Sequence, residues 1–61
     1  MTTLTKSAAV RRAILALNAS IKMSRVELNI AHKLGNQDEA RRYRTKMQLD
    51  KEAIRILQSL L

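Results

Sequence analysis

Residues 33–46 read KLGNQDEARRYRTK. This stretch holds the chain's only glycine, then the acidic pair Asp38 and Glu39, then Arg41, Arg42, Arg44 and Lys46. Proline is absent, and long segments rich in Ala, Leu and Ile run on either side. Those residues favour helix, and the signals between them are a helix end followed by a helix start. His32 and Lys33 stand where cations complement the negative end of a helix. Gly35 suits the left-handed backbone that terminates one. Asn36 followed by Glu39 reads as a capping box, with Asp38 adding negative charge to the next first turn. The stretch thus predicts a bend at residues 35–36, with helix over about 5–34 before it and about 37–60 after it. So short a connection makes the two helices antiparallel neighbours in one domain spanning residues 1–61. Thr5 is the leading N-cap, with Thr2, Thr3 and Ser7 competing.

The apolar spacing supports the same fold. Val10, Ile14, Leu17, Ile21, Ser24, Leu28 and Ala31 recur at alternating steps of four and three. Ala40, Tyr43, Met47, Asp50, Ile54, Leu57 and Leu61 do so in mirrored order. Folded at Gly35, facing residues have numbers summing to about 71, which pairs Val10 with Leu61 and Ala31 with Ala40. Two layers break the apolar rule, Ile21 with Asp50 and Ser24 with Met47. A polar residue at such a position commonly fixes register at some cost in stability. Asp50 is expected to reach Lys46 on its own helix and Arg25 across the seam. Glu27 is expected to pair with Arg44, and Asp38 to support Arg42 four residues on.

One seam does not use all the apolar surface. Ala9, Ala13, Ala16 and Ser20, continued by Met23, Ile30 and Leu34, form a second flank on the first helix, with Ala19 and Val26 beside them. Leu49, Ala53, Ile56 and Leu60 form a surplus on the second. A surface helix normally turns one apolar stripe to one core, and large exposed patches tend to mark interfaces. The expected fold is therefore all-α, an antiparallel hairpin pairing into a homodimeric four-helix bundle. Ala9, Ala13, Ala16, Ser20, Leu49, Ala53, Ile56 and Leu60 are the expected dimer interface. A chain of 61 residues with no cysteine needs such help, because it has a small core and no disulfide.

Twelve basic residues against five acidic ones leave a net charge of +7, and all five acids lie beyond residue 26. That excess favours acidic protein surfaces, nucleic acid or anionic membrane. The basic, Ser- and Thr-rich first 26 residues are somewhat like a transit peptide, yet their apolar pattern continues into the rest of the chain. No run reaches the roughly 18 apolar residues of a membrane span, so a cytoplasmic protein off the membrane is expected. His32 has no cysteine or acid on its turn, and the four serines have no base at a convincing helical spacing. No Gly-rich phosphate loop, paired-carboxylate motif or closed metal-ligand set is present. An enzyme is not expected, nor a cofactor, a metal or a small-molecule substrate.

Arg11, Asn18, Lys22, Arg25 and Asn29, continued by His32 and Lys33, line a polar stripe on the first helix, some 33 Å long at ~1.5 Å per residue. Cations alternating with amides suit a phosphate backbone. In length, hairpin layout and stripe placement the chain resembles the Rop family of plasmid RNA-binding proteins. The resemblance implies a dimer of hairpins binding paired RNA loops through Arg11, Asn18, Lys22, Arg25 and Asn29. It departs from that family in its strong basic excess, and no sequence motif is shared. Tyr43, the only aromatic residue, is expected in the seam, which leaves no platform for stacking bases. A long hairpin also lacks the short supporting helix of a major-groove reader. The leading expectation is a small regulator or inhibitor, of phage or plasmid accessory type, that binds a larger and partly acidic host protein. Met23, Val26 and Ile30 are its expected anchors, inside a rim of Arg11, Lys22, Arg25, Arg41 and Arg44. A module whose only partner is itself is the third reading.

Overall fold

Two adjacent residues end one helix and begin the next. In a computed structural model, which describes residues 3–61, α1 is Lys6–Lys33 and α2 is Gln37–Gln58. Gly35 takes φ +69°, a backbone that costs a β-carbon-bearing residue energy but not glycine. Its N–H donates to His32 O at 3.1 Å, while the Asn36 N–H donates to Ala31 O at 2.9 Å. This bond pair is the Schellman closure, and it satisfies two of the carbonyls a helix end leaves open. The Asn36 side chain then accepts from the Glu39 N–H at 3.1 Å and so caps α2. Only half of the expected capping box forms, since Asn36 N–H is engaged with Ala31. The Glu39 carboxylate meets Arg42 at 3.3 Å instead, taking the place foreseen for Asp38.

At the other end Thr5 Oγ1 accepts from the Ala8 N–H at 3.0 Å, as expected of the cap. Thr2, a competing cap, lies outside the described residues. Helix α2 stops two residues short of the expected boundary, where the Ser59 hydroxyl donates to the Ile56 carbonyl. Leu61 is therefore not a seam residue. It remains 58% exposed beside Arg11, Ile14 and Leu15.

The rest of the seam matches the spacing. Every α1 position from Val10 to Ala31 on the four-three pattern is buried or half-buried, and so is every α2 position from Ala40 to Leu57. Val10, Ile21, Ser24, Ala31 and Ala40 are the buried ones, and no large side chain is fully enclosed among the described residues. Small Ala31 and Ala40 sit beside the turn, where the helices converge.

So thin a core leaves an extended molecule. The radius of gyration is 14.6 Å, against about 10.5 Å for a globular domain of this length. The accessible surface is 5046 Å², where a folded monomer of this mass exposes about 4,000 Å².

Candidate binding faces

In an antiparallel pair, residues flanking the seam on one side of α1 stand beside those flanking the same side of α2. The structure shows which these are. An open groove of about 400 Å³ is lined by Ser20, Met23, Ser24, Glu27, Tyr43 and Lys46. A second, of about 300 Å³, shares Glu27 and Tyr43 and adds Ile30, Leu34 and Glu39 among its walls. Met23, Ile30 and Leu34 therefore overlook the same side as Glu39 and Lys46. Steps of seven along α2 carry that side on to Ala53 and Leu60, with Leu49 and Ile56 next to them.

This broad face is apolar. Ala9, Ala16, Met23, Ile30, Leu34, Leu49, Ile56 and Leu60 are all exposed on it, Met23 by 64% and Ile56 by 63%. Ala13, Ser20 and Ala53 are half-buried where the two helices meet. All eight residues expected at the dimer interface thus lie on one side of the hairpin. Val26 does not join Met23 and Ile30, because its place in the seven-residue pattern is the outer rim of α1, opposite the seam.

Glu27 and the Glu39–Arg42 pair interrupt the face toward the turn, and a polar knot interrupts its middle. Ser20 Oγ donates to Asp50 Oδ2 at 2.8 Å and accepts from Lys46 Nζ. Lys46 Nζ also stands 3.6 Å from Asp50 Oδ2. The expected Lys46 partner is present, but the link across the seam comes from Ser20 and not from Arg25. The cause is geometric, since Arg25 flanks the seam on the other side. The same separation explains why Glu27 and Arg44 form no ion pair, as Glu27 borders the groove and Arg44 flanks the opposite side.

That opposite side is marked by a hollow of about 410 Å³ lined by Arg11, Ile14, Leu15, Gln58 and Leu61. Steps of seven carry it from Arg11 to Asn18, Arg25 and His32 on α1, and from Gln58 back to Lys51 and Arg44 on α2. Lys22 and Asn29 stand just outside the first row, Arg41, Gln48 and Arg55 just outside the second. All these polar residues are exposed.

The charge is segregated accordingly. Seven of the twelve basic residues occupy this face (Arg11, Lys22, Arg25, Arg41, Arg44, Lys51 and Arg55) and none of the five acids does. The other five cations equal the acids in number, so the whole excess of +7 belongs to one surface. Among the described residues, Leu15 and Leu61 are its exposed large apolar side chains, both at the open end of the hairpin.

The structure therefore divides the expected protein-binding site. Met23 and Ile30 lie on the apolar face, while Arg11, Lys22, Arg25, Arg41 and Arg44 lie on the basic one. The stripe Arg11, Asn18, Lys22, Arg25 and Asn29 does stay together, and the fold sets it beside the α2 cations. Lys51 and Arg55 were not among the expected contacts. The seven-residue count reaches Lys51 from Arg44, and Arg55 from Arg41 through Gln48.

No helix of the described residues is long and apolar enough to cross a membrane. Comparison with protein-family models, with curated proteins and with solved structures yields no match.

Proposed function

We propose that the chain is a small non-enzymatic regulator of the cytoplasm that works as a homodimeric four-helix bundle and binds a larger, negatively charged partner. The single observation that carries this reading is the two-sided hairpin, apolar on one broad face and basic on the other. The surface in excess of a compact monomer's is about 1,000 Å², close to the ~800 Å² that each partner contributes to a standard interface. A second copy laid on the apolar face hides the exposed leucines and isoleucines without covering the seven cations of the basic face.

The first partner class is a larger host protein with an acidic surface, bound in the manner of a phage or plasmid accessory inhibitor. Arg11, Lys22, Arg25, Arg41 and Arg44 serve it as steering and contact residues. Met23 and Ile30 do not anchor it in this arrangement, because self-association uses them. Val26, on the outer rim, is the anchor left to such a partner. A Rop-like RNA-binding reading draws on a different observation, the alternation of cations with Asn18 and Asn29 beside a second cationic row on α2.

A pull-down of the tagged chain from host lysate, with and without nuclease, tests the proposal alongside a solution mass. A dimer retaining one discrete, nuclease-resistant protein supports the inhibitor reading. Nuclease-sensitive, salt-eluted material supports the RNA reading. A dimer that retains neither leaves only the self-assembly module, and a monomer overturns the bundle.

A further inference from the structure

We propose that the dimer is bivalent for double-stranded nucleic acid, bridging two duplexes by their phosphate backbones on opposite sides of the bundle. The inference rests on the homodimer proposed above and deepens its nucleic-acid reading in place of the acidic host protein.

The bivalency follows from the position of the faces alone. Two copies that bury their apolar faces against each other turn their basic faces outward, one on each side. This holds whether the two-fold axis runs along the helices or across them, because both arrangements stack the hairpins back to back. It differs from a bundle that gathers two first-helix stripes into one site. Here each hairpin already has two cationic rows of its own, because the fold sets the α2 cations beside the α1 stripe.

The chemistry of each face selects the partner. Protein interfaces centre on aromatic and apolar side chains and are depleted of charge at their core. This face has Leu15 and Leu61, both at the open end, as its exposed large apolar residues, against seven cations, no acid and no aromatic residue. Interfaces with duplex nucleic acid are far more positive and more polar. The one tyrosine, Tyr43, is half-buried on the seam and lines the grooves of the apolar side. Stacking of unpaired bases is therefore not available, which disfavours single strands. Arg11 to Arg25 on α1, and Arg41 to Arg55 on α2, each span ~21 Å at ~1.5 Å per residue. The two rows lie ~8–10 Å apart, the ordinary separation of packed helices. Cations so arranged can neutralise backbone phosphates, and Asn18, Asn29 and Gln48 can donate hydrogen bonds between them. Such a surface holds the backbone and reads no base sequence.

The test mixes two populations of one 24-base-pair duplex, carrying a fluorescence donor or an acceptor, with the purified chain at several salt concentrations. DNA and RNA duplexes, the single strands and polyglutamate are run in parallel, and the solution mass is measured alongside. The expected result is energy transfer between duplexes that peaks at about one dimer per two duplexes and falls with excess protein. Binding should weaken with salt at a log–log slope of up to about −6 for a fully engaged face. Arg44→Glu with Lys51→Glu should abolish binding and bridging while leaving the dimer mass unchanged. Ile56→Glu should yield a monomer that binds one duplex and bridges none. Its helicity is checked by circular dichroism, and Ala16→Glu serves in its place if that variant unfolds.

A wild-type dimer that binds duplex without energy transfer at any ratio overturns the bivalency. A dimer that ignores duplex and binds polyglutamate overturns the nucleic-acid assignment in favour of an acidic protein, and one that prefers single strands overturns the duplex. A wild-type monomer removes the dimer and the bridging together, and its mass identifies that failure separately.

Discussion

Ser20 and Asp50, thirty positions apart, join α1 to α2 by a 2.8 Å hydrogen bond in the middle of the seam, with Lys46 donating to Ser20 from above. The Asp50 side chain is only 15% exposed, so this bond places a nearly buried carboxylate at a position where apolar packing is the rule. Its partners satisfy the charge, and the positions seven residues either side of Ser20, Ala13 and Glu27, offer no second serine. One alignment of the helices is thereby distinguished from those shifted by seven residues.

Ser20→Ala should accordingly lower stability by about 1 kcal/mol. Asp50→Leu should act oppositely, raising the melting temperature, since leucine completes the apolar seam and the half-exposed Lys46 can turn its ammonium to water. The same variant should lose uniqueness of pairing, seen as mixed masses in sedimentation and broadened amide resonances. An Asp50→Leu protein that melts lower, with a single sharp spectrum, contradicts this account of the knot.

Gly35→Ala tests the turn. A β-carbon there meets nothing within 4 Å, so the cost is conformational and not steric crowding. Thermal unfolding should show a loss of about 1–2 kcal/mol. Gly35→Asn should lose less, because asparagine tolerates the left-handed region better.

Asn36→Ala should cost about 1 kcal/mol by removing the cap on the Glu39 N–H. Thr5→Ala should cost less, although its bond to the Ala8 N–H is of equal quality. Residues at the open end can fray locally, whereas the turn cannot open without separating the helices. Equal losses in a denaturant titration would count against this difference.

Added salt should stabilise the hairpin. Lys51 with Arg55, and Arg41 with Arg44, are like charges on neighbouring helical turns, and the basic face contains no acid to offset them. The attractive contacts that salt weakens, Arg42 with Glu39 and Lys46 with Asp50, are few and partly exposed. Screening of the repulsion should therefore prevail, raising the melting temperature by several degrees between low and physiological ionic strength. A fall over that range would contradict it.

Ile56→Glu should raise the dissociation constant of the proposed dimer more than a hundredfold, since burying an unpaired carboxylate costs about 3 kcal/mol or more. Val26→Glu, on the outer rim, should leave the mass unchanged. Sedimentation equilibrium of the two variants separates an interface on the apolar face from one on the rim.

The linear chain was sufficient for the hairpin itself. The glycine and asparagine at 35 and 36, and the four-three spacing on either side, are local or periodic signals, and the seam forms where they place it. The end of α2 was less legible, because the spacing extends to Leu61 while the last turn is closed at Ser59 by a hydrogen bond to the Ile56 carbonyl. The partner of Asp50 and the fate of Glu27 depended on which side of the seam each residue flanks. That is a relation between two helices, which neither helix contains. The same relation determined the faces. Each helix by itself shows an apolar flank and a cationic one, and from either alone Met23 and Arg25 could share a site. Antiparallel packing sets like flank beside like flank, so the apolar halves join on one side and the cations on the other. The sequence by itself determined the elements and the seam; tertiary packing decided the two faces, because only it sets the rotation of one helix against the other.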